Sequence, residues 1–256
     1  LSYATAWSSP LLGCRTKPVM SLSPGATTMN TASNRSPPFI RILMRRGPGL
    51  YPSAATIRSL AVLFRRLAGA SWRGGEPVCF LHLDAHTDVF TTVDHFLGAK
   101  KSAAHWGAYL ADQGQVDPSH SMQIGLRGHP RTLDWLTPSY EYGYNVVTMA
   151  EYRQRGAADV IAQTREMLAG RPVYITFDLD CLDPTVAPGV ANIEPGVTGF
   201  SMDEAVELLH SVRGMNIIGG DVVCLMPTKD SPNQITAMGA AAIMFEMISM
   251  MAENCG

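Results

Sequence analysis

No aspartate or glutamate occurs among residues 1–75, although ten of the chain's 20 lysines and arginines lie there. All 22 acidic residues fall beyond Gly75 with the other ten basic ones, so a formal net charge of −2 conceals a basic leader and an acidic remainder. A chain so nearly neutral overall is not built for a polyanion, and no nucleic-acid partner is expected. Cysteine is scarce as well. Cys14, Cys79, Cys181, Cys224 and Cys255 are scattered, odd in number and without a C-x-x-C pair, which excludes a disulfide framework and points to a reducing compartment. No apolar run reaches the roughly 18 residues of a membrane span, so no membrane partner is expected.

An acid-free composition rich in Arg and Ser suits an organellar transit segment, a foreign or mis-framed leader, or in part a genuine folded stretch. Ser21–Pro38 is too polar to bury a core. Within the leader only Ser53–Ala68 keeps helical spacing, through Ile57, Leu60, Ala61, Phe64 and Leu67. The chain therefore divides into an atypical, partly disordered leader over 1–75 and a folded metal-binding domain over 76–256. A cytoplasmic location is expected, or a mitochondrial one if the leader is a transit segment.

Beyond Gly75 strand-like and helix-like stretches alternate. Val78–Leu83, Met122–Leu126, Tyr144–Met149, Val173–Phe177 and Met215–Val223 read as strands. Ser102–Gln113, Ala150–Ala169, Ser201–Val212 and Pro232–Glu253 read as helices, with capping boxes at Ser201/Glu204 and at Ser231/Gln234. Such alternation predicts right-handed crossovers onto a mainly parallel sheet in a three-layer α/β/α architecture. The last helix is rich in Met and Ala, the composition of a packed core helix.

Two of the strands end in carboxylates spaced two residues apart. Val78-Cys-Phe-Leu-His-Leu runs into Asp84-Ala-His86-Thr-Asp88, and Val173-Tyr-Ile-Thr-Phe runs into Asp178-Leu-Asp180-Cys-Leu-Asp183-Pro184. A two-residue period aims side chains to one side, so each set can converge. Side by side in a parallel sheet, the strands would present both sets at the carboxyl edge where α/β proteins hold ligands. Four carboxylates and one imidazole in that volume repel one another unless a cation sits among them. Hard oxygen donors with one imidazole and no thiolate suit Mn²⁺, Mg²⁺ or Fe²⁺, and there are enough of them for two ions.

The pair of motifs resembles the ureohydrolase family, the arginases, agmatinases and their relatives that act on other guanidino compounds. The resemblance runs from about Pro77 to the C-terminus and implies an arginase-like fold, with its N-terminal part missing or replaced here. It implies hydrolysis of a guanidino compound, agmatine or a guanidino acid, to urea and an amine by hydroxide held between two Mn²⁺ ions. Asp84 and Asp178 would bridge the ions, Asp88 would bind one, and His86 and Asp180 the other, with Asp180 counted among the catalytic residues. A histidine in the loop after the first motif shuttles protons in the family. His105 is the candidate here, and His95 is its rival. His82 is expected to lie deeper in the sheet as a neighbour of the ligands at most, and Asp183-Pro184 to shape the turn beneath the site.

Three departures bear on substrate and metal. Val89-Phe90 follows Asp88, where arginine-hydrolysing relatives read the substrate's α-carboxylate with polar residues, so free arginine is not expected. Cys224 stands where the family usually has a glutamate that pairs with the guanidinium, and Glu194 is the carboxylate that can replace it if its loop folds over the metals. The family also draws a histidine ligand from an upstream Gly-Gly-Asp-His-type turn, yet no histidine precedes His82 and Arg46–Ser53 supplies none. The Asp88 ion is therefore expected to be weakly held, and urea release by this chain to be weak or absent. The alternative reading is a catalytically impaired relative serving as a binding or regulatory subunit. The family's assemblies imply a homo-oligomer, trimer or hexamer.

Overall fold

The structure is a computed structural model. It describes the backbone of residues 19–23, 26–30 and 39–44, and residues 77–91, 103–128, 132–196 and 198–253 in full. The helix predicted over Ser53–Ala68 and the segment Arg46–Ser53 lie outside the described residues. So does His95.

Eight described strands form one sheet: β1 (Val19–Ser23), β2 (Ala26–Asn30), β3 (Phe39–Met44), β4 (Cys79–Leu83), β5 (Met122–Leu126), β6 (Asn145–Thr148), β7 (Val173–Asp178) and β8 (Ile217–Leu225). Their order is β1-β2-β3-β8-β7-β4-β5-β6, parallel from β3 to β6 and antiparallel only among β1, β2 and β3. Those three strands fall in the stretch read as the basic leader, and β3 joins the sheet alongside β8.

Strand alternation decides which face each residue serves. Leu81, Leu83, Ile175 and Phe177 are buried on one face with α3 (Met149–Arg155), α4 (Ala157–Leu168), α5 (Met202–His210) and α6 (Ile235–Glu253). Phe80, Tyr174 and Ile218 are buried on the other with α1 (Trp106–Asp112), where Tyr142 of α2 (Thr137–Tyr142) also packs. The architecture is the expected α/β/α sandwich. Each fully buried Leu, Ile or Phe in these layers contributes roughly 1.5–3 kcal/mol of apolar burial.

The single helix predicted over Ala150–Ala169 is two helices, because Gly156 takes φ +85 and separates α3 from α4. The Ser201 capping box forms as predicted, Ser201 accepting from the Glu204 amide while Glu204 accepts in return. The second predicted box does not. Asp230 caps the start of α6 instead, its carboxylate accepting from the amides of Thr236 and Ala237, while Ser231 turns its hydroxyl to Asn233. Helix α6 also departs from the expectation about apolar runs. Its mean hydropathy of 1.6 makes it long and apolar enough to cross a membrane, a test that core helices also pass, and Ala240, Ile243, Met247 and Met250 are buried in the core.

Candidate metal centre

The connectivity creates the site. From β4 the chain moves outward through β5 to β6, then returns to the opposite side of β4 as β7 and continues to β8. Loops leaving β4 and β7 therefore diverge, and a crevice opens between their carboxyl ends. The register aligns Leu83 with Phe177, so Asp84 and Asp178 are the next residues on two neighbouring strands.

Four segments converge there. His86 Nδ1 lies 3.3 Å from both Asp84 Oδ1 and Asp180 Oδ2, which links the first motif to the second. Three sets of ligand atoms each lie within 4.8 Å of one another: His82, Asp84 and Asp88; Asp84, His86 and Asp180; Asp178, Asp180 and Cys224. All five residues singled out by spacing, Asp84, His86, Asp88, Asp178 and Asp180, thus share one volume. Local hydrogen bonds fix their directions. The His86 amide donates to Asp84 Oδ1 (2.6 Å), the Ala85 amide to Asp180 Oδ1 (3.2 Å), and the Asp180 amide to Asp178 Oδ1 (2.9 Å). Trp106 Nε1, at the head of α1, donates to Asp88 Oδ2 at 2.7 Å.

Among the described residues only three non-glycine positions have positive φ, and two of them, Asp88 at +51 and Cys224 at +71, belong to the cluster. Left-handed backbone at such residues costs of order 1–3 kcal/mol and persists where the surroundings demand it.

The electrostatics ask for a cation. Burial, and then the charge of Asp84, push the Asp88 carboxyl up to about 7. Burial, then Asp180 and Asp84, raise Asp178 well above the usual carboxylate range. Asp180 is raised by burial too, against the pull of His86. Asp84 goes the other way. Burial acts to raise it, but the charge and hydrogen bond of His82, followed by His86, hold it below the ordinary range. A divalent ion relieves the carboxylates that have no such partner, so the donor set fits one.

Two further residues line the cluster. His82 is a neighbour of the ligands, as expected: its Nε2 lies 2.8 Å from Asp84 Oδ2. Gln123 Nε2 donates to the Thr87 carbonyl (2.6 Å) and lies 3.2 Å from His82 Nδ1, which holds the ring with Nε2 toward Asp84. Cys224, expected at the site, joins the cluster as a thiol and not a thiolate. Cys224 Sγ lies 3.7 Å from Asp180 Oδ2, since β8 pairs with β7 and ends at the same edge. Burial, with Asp178 and Asp180 nearby, pushes its thiol well above the usual range and keeps it protonated.

Glu194 comes in over the site. Its Oε1 lies 3.1 Å from His86 Nε2, on the ring edge opposite the carboxylates. Asp183 lies off the cluster, where it accepts from Thr185 and from the Gly199 amide and shapes the turn. His105 ends a short 3₁₀ turn (Ala103–His105) leading into α1, one residue before the Trp106 that holds Asp88. Sequence reading missed Arg127, which follows β5 and is buried while donating to the carbonyls of Asp180 (2.7 Å) and Leu182 (2.9 Å). Only its place at the end of a predicted strand, on the edge that carries the motifs, signalled it.

Fold and site together define a parallel-sheet α/β protein with a carboxylate- and imidazole-lined centre at its topological switch point. The Arginase family model matches residues 55–249, beginning ahead of Pro77, and the chain belongs to that family. It is 35% identical over 175 residues to an agmatinase of Proteus mirabilis, an alignment covering 68% of this chain and 52% of that protein. The solved structure of proclavaminate amidino hydrolase from Streptomyces clavuligerus superposes with a TM-score of 0.66 at 30% identity, covering 80% of this chain and 62% of the other. A hypothetical agmatinase from Burkholderia thailandensis gives 0.64 at 29% identity, covering 81% and 58%. The chain spans about half the length of the curated relatives it matches.

Proposed function

We propose that this chain hydrolyses a guanidino compound, agmatine or a guanidino acid, to urea and an amine. In this reading Asp84, His86, Asp88, Asp178 and Asp180 hold two divalent ions, manganese by the preference of oxygen-rich donor sets. When bound, such a pair lowers the pKa of water enough to supply a strong nucleophile at neutral pH. The observation that carries the reading is the meeting of both motifs on His86, whose Nδ1 lies equally close to Asp84 and Asp180.

The remaining roles fall to the chain's own side chains. Glu194, only partly buried at the mouth of the crevice, is the carboxylate that pairs with the guanidinium. Cys224 lines the site, and a thiol supplies no charge-assisted pair unless ionised, so the pairing falls to Glu194. His105 passes a proton from an imidazole nitrogen to the leaving amine. Of the two ion positions, the one around Asp88 is the weaker, because its nearby imidazole, His82, is committed through Nε2 to Asp84 and through Nδ1 to Gln123. The assembly is proposed to be a homo-oligomer.

A urea-release screen with Mn²⁺ against agmatine, guanidinobutyrate, guanidinopropionate, arginine and guanidine tests the reading. Urea is expected from agmatine or a guanidino acid and not from arginine. Protein that binds Mn²⁺ yet releases no urea from any of them rules the reading out.

A further inference from the structure

Arg127 and Gly128 stand at the carboxyl end of β5, beside the crevice and outside both motifs. Arg127 is buried, at 6% exposure, and reaches the main chain of Asp180, one of the four clustered carboxylate residues. Its fork binds main chain at both ends of one loop. Nη2 donates to the carbonyls of Asp180 (2.7 Å) and Leu182 (2.9 Å), and Nη1 donates to the carbonyl of Glu194. The planar fork thereby ties the start of the loop after β7 to its far end.

Gly128 completes the arrangement. It has φ +98, and a Cβ built there would collide with Glu194 Oε2 and lie 2.6 Å from its Cδ. The volume a side chain would take at position 128 is the volume the Glu194 carboxylate fills. The other oxygen, Oε1, then reaches His86 Nε2 at 3.1 Å. Backbone and carboxylate of one residue are held by two successive residues of another strand end.

We propose that Arg127 and Gly128 form a seat that positions Glu194 against His86 at the mouth of the site, and that this seat sets recognition of the substrate's guanidinium. Arg127 is a positioning residue: it acts through the loop whose carbonyls it holds. The proposal rests on the reading above in which Glu194 meets the guanidinium. An arginine serving only stability would leave Glu194 and substrate affinity unaffected once the protein is folded.

The test compares the full chain loaded with Mn²⁺ with Gly128→Ala, Arg127→Lys, Glu194→Ala and the Gly128→Ala/Glu194→Ala double variant, each checked for folding by thermal melting. Amide hydrogen exchange over residues 183–196 reads the seat without relying on activity. KM and kcat on whichever guanidino compound the parent hydrolyses read its consequence. Gly128→Ala and Arg127→Lys are expected to speed exchange in that loop and to raise KM about tenfold, with a smaller change in kcat. Added to Glu194→Ala, Gly128→Ala is expected to raise KM no further. Folded single variants with parental exchange and KM overturn the proposal, as does an equal KM increase from Gly128→Ala with and without Glu194. If Arg127→Lys does not fold, Gly128→Ala decides alone, and the reverse holds too. A parent that releases no urea defeats the functional reading instead, while exchange still decides whether the seat exists.

Discussion

The ends of β4 and β7 carry the same device, carboxylates two residues apart on neighbouring strands, yet they differ in how their charge is met. The β4 end brings its own cations. His82 and His86 flank Asp84 and hold its carboxyl below the ordinary range. The β7 end has no basic residue of its own, and burial raises both Asp178 and Asp180; His86 reaches across to the Asp180 carboxylate, and Arg127 to the Asp180 main-chain carbonyl. Identical spacing therefore yields a self-compensated half and a half that depends on an external cation. Asp88 belongs with the second kind despite its place in the first motif, since Trp106 gives it a hydrogen bond and no charge.

The sharpest way to break this comparison is to neutralise one carboxylate in each half. Asp178→Asn is expected to abolish urea release and to weaken Mn²⁺ binding by at least about 100-fold, beyond what loss of a residue behind a metal ligand costs. It should also stabilise the metal-free protein, because it removes a buried acid that lacks a counter-charge. Asp84→Asn should likewise abolish urea release but destabilise the metal-free protein by roughly 1–3 kcal/mol, since the charge facing His82 is lost. Thermal melts with and without Mn²⁺ read both signs. Equal shifts in the metal-free melts would dissolve the distinction between the halves.

Metal content gives the next largest effect. After dialysis, nearer one tightly held Mn²⁺ per chain than two is expected by elemental analysis, the Asp88 position being the one that empties. Two tightly held ions would mean that His82 gives up its bond to Asp84, or that a residue outside the described segments completes the site.

A smaller effect lies in pH. Asp88 has a folded-state value near 7 against 3.8 for the ordinary group, so between those values the folded metal-free protein binds more protons than the unfolded chain. Its stability must then fall as pH rises across that window. His86, raised well above 6.5 by its carboxylates despite burial, acts in the same direction: its contribution is complete below 6.5 and is lost as pH rises through the folded value. Urea unfolding of metal-free protein at pH 5 and pH 7 should show greater stability at pH 5, and Mn²⁺ should reduce or reverse the difference. A metal-free protein more stable at pH 7 would place the carboxylates' protons wrongly.

The two helix starts supply the smallest test. Asp230→Ala is expected to cost about 1–2 kcal/mol, and Ser201→Ala about 1 kcal/mol. Ser231→Ala should cost much less, because that hydroxyl caps no helical amide. Denaturant midpoints rank the three.

The sequence by itself determined the alternation of strands and helices beyond Gly75, the capping box at Ser201, and five site residues whose types and spacing already implied a cation. These are local properties: side-chain period, cap chemistry and donor type act over a few residues. Tertiary structure decided the rest. That β7 lies beside β4, bringing Asp178 level with Asp84, depends on pairing between segments more than ninety positions apart. Cys224 enters the cluster because β8 pairs with β7, and His82 is bound to Asp84 because Gln123, on β5, orients its ring. Arg127 and Glu194 carry no motif at all. They meet because the loop after β7 crosses the end of β5, where a buried guanidinium donates to backbone carbonyls and an absent side chain leaves room for a carboxylate.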